Sequence, residues 1–205
     1  MDGATPAGET GLSDNAKKHT SHNPLQRFLI ARFHARLLQL LRDVEFSTLL
    51  DAGCGEGFTL SKLADRYPAV QLTGTDRNPA ALRHGGGFPS RVPRVCGDVT
   101  RLPYAERAFD VVLVAEVLEH LHAPDECLSE IARVTRRYVV ATVPNEPYFC
   151  IANLLRGKNV AAWGNDPGHV QHWSTTRFAA VVRRHFRVLR CTTAFPWTLV
   201  LAERP

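Results

Sequence analysis

A glycine-rich turn directly behind a short apolar run constrains this chain more than any other feature. Ser47-Thr48-Leu49-Leu50-Asp51 reads as a buried strand, and Ala52-Gly53-Cys54-Gly55-Glu56-Gly57 turns the chain into a helical stretch, Phe58 to Arg66, stopped by Pro68. Glycine is needed where the backbone bends sharply and lets a ligand come close. The N–H groups at the start of the following helix are expected to be free and to favour a carboxylate or phosphate.

The alternation continues along the chain. Val70 to Thr75 is predicted as the second strand, ended by Asp76, and a helix from Pro79 runs into Gly85-Gly86-Gly87. Val92 to Cys96 is the third strand, closed by Gly97-Asp98. Phe109 to Ala115 (FDVVLVA) is a continuous apolar run, the pattern of a central parallel strand. A helix over Ala123–Arg137, with Pro124 in its first turn, leads to a fifth strand, Tyr138–Val143. Residues 144–172 read as a long irregular stretch, the kind that serves as a lid or binding loop. A helix over Thr175–His185 and two apolar segments, Phe186–Thr192 and Thr198–Ala202, finish the chain. The expected fold is α/β: a Rossmann-like, doubly wound, mostly parallel seven-stranded sheet with helices on both faces.

With 205 residues, 44% of them hydrophobic, the chain supports one core. Residues 23–205 are read as that domain, with a pocket lid around 144–173. Residues 1–22 are polar, lack periodicity and are expected to be a disordered tail. Between them and the first strand, apolar positions from Leu25 to Leu41 recur at three and four, interleaved with Arg27, Arg32, Arg36 and Arg42. That is a helix which packs on the core with a solvated basic face, or caps a substrate pocket.

No apolar run reaches the roughly 18 residues of a membrane span, and the polar start has no signal-peptide core. The five cysteines are scattered, with no Cys-x-x-Cys pair, so a reducing, cytoplasmic setting is expected and no membrane partner. The net charge of +5 admits an anionic partner such as nucleic acid without favouring one.

Three acids fall at three consecutive strand ends: Asp51, Asp76 and Asp98. A carboxylate at the second of these accepts the ribose hydroxyls of a nucleoside cofactor, and one at the third can accept an adenine amino group. The competing role for each is a turn or helix cap. A dinucleotide fingerprint wants Gly-x-Gly-x-x-Gly. Here the third glycine, Gly57, arrives one residue early, and Asp51 sits where a pyrophosphate would be repelled.

LLDAGCGEG, Asp76, Gly97-Asp98 and FDVVLVAEVLEHL together resemble the signature of class I S-adenosylmethionine-dependent methyltransferases, over roughly residues 46–145. By that resemblance Asp51 and Gly53 hold the methionine portion, Asp76 the ribose, and Asp98 with Val99 the adenine. Gly55, Arg77 and Glu116 complete the expected cofactor-binding set.

Glu116-Val-Leu-Glu119-His120 follows the fourth strand. If these residues make one helical turn, Glu116, Glu119 and His120 share a face. Carboxylates and imidazole suit a divalent cation such as Mg, Mn or Zn. The pattern is similar to that of metal-dependent small-RNA 2′-O-methyltransferases, whose Glu-x-x-Glu-His is completed by a later His four residues before a Trp. His169, four residues before Trp173, is the ligand this implies. Quinone-biosynthesis O-methyltransferases also carry Glu-x-x-Glu-His here, and the alternative is a metal-free polar pocket.

With metal, an acceptor hydroxyl would lose its proton on the ion. Without it, His120, His169 or His172 is the expected catalytic base. Trp163, Trp173 and Trp197 read as packing residues, Tyr148 and Phe149 as the edge of the acceptor pocket, and Arg156 and Lys158 as solvated surface. The expected reaction is methyl transfer to a small-molecule acceptor, at oxygen. A C- or N-methyltransferase, an NAD(P)-dependent oxidoreductase and a non-catalytic cofactor-binding module are the alternatives.

Overall fold

Among the described residues, seven strands form one sheet in the order β3-β2-β1-β4-β5-β7-β6. The structure is a computed structural model that describes residues 14–84, 91–155, 157 and 159–205. The strands are β1 (Thr48–Ala52), β2 (Gln71–Asp76), β3 (Arg94–Cys96), β4 (Phe109–Ala115), β5 (Thr135–Pro144), β6 (Arg187–Ala194) and β7 (Trp197–Glu203). The helices are α1 (Asp14–His19), α2 (Pro24–Arg42), α3 (Phe58–Arg66), α4 (Pro79–His84), α5 (Pro124–Val134), α6 (Tyr148–Leu155) and α7 (Thr175–Arg183). The first five strands pair in parallel. β7 inserts antiparallel between β5 and β6, so the sheet is mixed.

The period of two explains how FDVVLVA serves both faces. Val111 and Leu113 face one core with Leu37, Leu40 and Leu41 of α2 and Leu60 and Leu63 of α3. Val112 and Val114 face the other with Leu128 and Ile131 of α5 and Phe178 and Val182 of α7. α2 begins at Asn23, whose side chain accepts the N–H groups of Leu25 and Gln26, with Pro24 in the first turn. β1 and β4 are neighbours in the sheet, and the chain runs outward in opposite directions from them. Their carboxyl ends therefore flank the switch point, where open α/β sheets bind ligands.

Four expected boundaries are corrected. Residues 14–19 are helical, not part of an irregular tail; α1 is held by contacts to the pocket described below rather than by its own periodicity. Residues 1–13 and the glycine run 85–87 lie outside the described residues. The helix expected to reach Arg137 ends at Val134, because Thr135 is buried, pairs with Phe109 across the sheet and bonds back to the Ile131 carbonyl. The stretch 144–172 is not irregular throughout: α6 is an apolar helix, and a short 3-10 turn, Val160–Ala162, follows it. α7 ends at Arg183, two residues before the expected His185. No helix among the described residues is long and apolar enough to cross a membrane.

Candidate active site

A cavity of about 950 Å³ opens over the carboxyl ends of β1, β2 and β4. Asp51, Gly53, Gly55, Asp76, Arg77, Asp98, Val99 and Glu116, the whole expected cofactor set, line it. Gly53 has φ +86°, and a Cβ there would run into the Val117 side chain. Only glycine therefore lets the turn and the segment after β4 close together.

Four of the turn's backbone donors are bonded within the protein. Thr75 carbonyl accepts from Gly53 and Cys54 N–H at 2.7 and 3.0 Å, and Cys54 carbonyl from Gly57 N–H at 2.9 Å. Gly55 N–H donates to Asp76 Oδ2 at 2.8 Å, and Asn78 N–H to Asp76 Oδ1 at 2.8 Å. Both Asp76 oxygens are thus oriented by backbone and each retains a lone pair for a ribose hydroxyl. Asp98 takes a turn role through Oδ1, which accepts from the Thr100 N–H and hydroxyl, both at 2.8 Å. These bonds hold its carboxyl below the usual range. Asp51 is fully enclosed; burial, then the nearby Asp76 charge, pushes its carboxyl up to about 7.

The second constellation divides. Glu116 has φ +58° and turns away from the 3-10 turn Leu118–His120. Its Oε2 accepts the Trp197 indole N–H at 2.6 Å and lies 3.3 Å from Lys18 Nζ. Glu116 therefore does not share a face with Glu119 and His120, which corrects its expected place among metal ligands. The remaining three do meet: one ligand atom each from Glu119, His120 and His169 lies within 4.8 Å of the others. Glu119 is buried with both carboxylate oxygens unpaired, and His169 Nδ1 is also buried and unpaired. Burial, then the Glu116 charge, holds the Glu119 carboxyl well above its ordinary range. Burial also lowers His169 to about 4.

His120 Nδ1 lies 2.7 Å from the Gly168 carbonyl. A carbonyl only accepts, so this nitrogen carries the proton and Nε2 keeps its lone pair. His172 does not line this cavity; it lies on a shallower groove with Trp173, Arg177 and Arg184, and its Nδ1 is 3.8 Å from Glu146. Its expected catalytic place is corrected accordingly. Phe149 lines the cavity as expected, whereas Tyr148 is exposed beside Phe195. Trp173 is buried in the core, Trp197 is buried at the cavity wall, and Trp163 is exposed rather than packed. Arg156 and Lys158 lie outside the described residues.

Sequence reasoning missed α1. Asn15, Lys18 and His19, spaced i, i+3 and i+4, present one face to the cavity. Asn15 Nδ2 donates to Glu56 Oε2 at 2.6 Å, and His19 stacks on Phe58 at 4.6 Å. The only available signal was that spacing, too short to stand out from a polar tail.

The fold and this row of acids beneath a cavity define a Rossmann-like domain with a pocket at the switch point of its sheet. Residues 50–140 match the family model described as a methyltransferase domain. The chain is 33% identical over 102 residues to a malonyl-[acyl-carrier protein] O-methyltransferase of Herminiimonas arsenicoxydans, covering 50% of this chain and 38% of the relative. It is 35% identical over 118 residues to a fatty-acid O-methyltransferase of Mycolicibacterium smegmatis, covering 55% and 41%. The chain thus spans about two fifths of the length of these curated relatives. The N-methyltransferase NodS of Bradyrhizobium japonicum, solved with S-adenosyl-L-homocysteine, superposes with a TM-score of 0.67 at 21% identity, over 94% of this chain and 93% of its own. Over residues 50–140 the chain is thus similar to a methyltransferase domain, and it shares its fold with that solved neighbour.

Proposed function

We propose that this chain transfers the methyl group of S-adenosylmethionine to an oxygen of a small-molecule acceptor. The cofactor would lie along the acids, with Asp51 at its methionine end, Asp76 on the ribose and Asp98 with Val99 at the adenine. The cofactor supplies an activated sulfonium methyl, so the protein's share is positioning and exclusion of water. α6 and the segment Asp166–His169 wall the acceptor side and act as its lid.

The observation that carries the acceptor reading is the His120–Gly168 bond. It orients the ring and leaves Nε2 as a base for an acceptor hydroxyl. His169, lowered to about 4 by burial, is a poor base and edges the His120 ring at 5.0 Å. Relatives named for malonyl-[acyl-carrier protein] and for fatty acids add carboxylates to the acceptors worth testing; those need no base.

A divalent cation is a second reading, favoured by the unpaired Glu119 oxygens and His169 Nδ1. Glu119, His120 and His169 fit such an ion in donor chemistry, and a ligating His commonly donates its other N–H to a carbonyl, as His120 does here. A bound cation would supply Lewis acidity that lowers the pKa of an acceptor hydroxyl.

Methyl transfer from labelled S-adenosylmethionine across hydroxyl and carboxylate acceptors tests the function. Label is expected on an acceptor oxygen, and His120→Asn is expected to retain S-adenosylhomocysteine binding while losing about 100-fold in turnover on a hydroxyl. Label found only on carbon or nitrogen contradicts oxygen transfer. Unchanged activity after chelation contradicts the metal reading alone.

A further inference from the structure

The helix α6 has two faces, and one of them belongs to the cavity. Phe149, Ala152 and Asn153 line the pocket. Tyr148, Ile151 and Leu155, spaced i, i+3 and i+7, share another face. All three are exposed, Leu155 at 83%. Val160 and Trp163 follow in the 3-10 turn and its cap, and both are exposed, Trp163 at 80%. Phe195, also exposed, stands beside Tyr148 with ring centres 6.3 Å apart. Large apolar groups gathered on the outside of a protein mark an interaction surface.

The turn that carries Trp163 is held against α6. Gly164 packs so closely on that helix that a Cβ would collide with the Cys150 carbonyl. The Gly164 carbonyl accepts from Asn153 Nδ2 at 2.8 Å. Trp163 has φ +54°, a region that a bulky residue rarely adopts. Strained backbone of this kind persists where its surroundings impose it, and it clusters at functional positions. The protein thus fixes a tryptophan ring in solvent next to an exposed apolar helix face. The sequence adds charge of one sign. Residues 147–165 contain no Asp or Glu, and their charged residues are Arg156 and Lys158.

We propose that α6 and the Val160–Trp163 turn dock this chain on an anionic phospholipid surface. Leucine and isoleucine enter the acyl boundary, and tryptophan and tyrosine belong at the headgroup level. A basic, acid-free segment is drawn to anionic lipid. Side chains that stand this far out need a partner that surrounds them, as a soft lipid layer does. A second copy meeting the same face would set the cationic segment against itself. No helix among the described residues is long and apolar enough to cross a membrane, but a helix lying in the interface does not cross it. The opposite face of α6 lines the cavity, so docking brings the pocket wall to the lipid. This goes beyond methyl transfer and does not rest on it.

Cosedimentation with vesicles of phosphatidylcholine and phosphatidylglycerol tests this, with neither cofactor nor acceptor present. Binding is expected, and weaker binding to phosphatidylcholine alone. Trp173 and Trp197 are buried, so Trp163 should report the contact as a blue shift in tryptophan emission. Leu155→Ser combined with Trp163→Ser is expected to weaken binding at least roughly tenfold, the worth of burying such side chains. A thermal melt verifies that the variant is folded. No association with the mixed vesicles overturns the proposal, as does association without an emission shift. Equal binding to phosphatidylcholine alone overturns it, and so does binding that the double variant keeps in full. A free protein that sediments as a dimer, and as a monomer in the double variant, also overturns it, because a second copy would then hold this face.

Discussion

Trp197 donates its indole N–H to Oε2 of Glu116 at 2.6 Å, so the last strand fixes the side chain that ends the fourth. Glu116 sits in the left-handed backbone region, which a glutamate adopts only when its surroundings hold it there. Trp197 is that hold, itself packed edge-on against Phe33 at 5.3 Å. Trp197→Phe keeps an aromatic ring and removes the donor. It is expected to lower unfolding free energy in urea by about 1–3 kcal/mol, and to weaken cofactor binding.

Gly53→Ala meets two obstacles: φ +86° and the Val117 side chain where the new Cβ would stand. The turn would open away from β4. Calorimetry is expected to show cofactor affinity lowered at least about tenfold, with a loss of roughly 1–3 kcal/mol in stability.

The Asp51 carboxyl is pushed up to about 7 by burial and then by Asp76. The cofactor's ammonium and sulfonium favour the ionised form. Affinity should therefore rise between pH 6 and 8, and binding near pH 6.5 should release protons. Titrations in buffers of different ionisation enthalpy measure that release, and Asp51→Asn should abolish it. In the free protein the sign is opposite: a raised acid stabilises most below its unfolded value of 3.8, and that contribution is lost as pH rises through 7.

His19, His34 and His169 are lowered from 6.5 to about 3, 4 and 4, in each case chiefly by burial. Depressed bases stabilise the fold fully above 6.5, and the contribution is lost as pH falls toward their folded values. The melting temperature should drop between pH 6.5 and 4. His34→Leu, which keeps the buried volume apolar, should flatten that drop.

The sheet and the row of acids along the cavity were legible because their signals are local. FDVVLVA has one reading as a strand buried on both faces, and Asp51, Asp76 and Asp98 each follow an apolar run. What escaped depends on tertiary contact. Nothing in EVLEH announces that Glu116 takes a positive φ, since glutamate rarely does. The six residues of α1 carry no apolar stripe and stay helical by docking on Glu56 and Phe58. His172 and His169 look equivalent in GHVQHW, but the bonds from Val170 and Gln171 N–H to the Glu119 carbonyl tie the chain so that only His169 lines the cavity.

Titration of the protein with S-adenosylhomocysteine tests most directly whether the bend after β1 cradles an amino-acid-bearing nucleoside. Saturable one-to-one binding is predicted for the wild type, weakened at least about tenfold in Asp76→Ala, with no heat from NAD or NADP. Absence of heat with S-adenosylhomocysteine, together with tight binding of either dinucleotide, would contradict it.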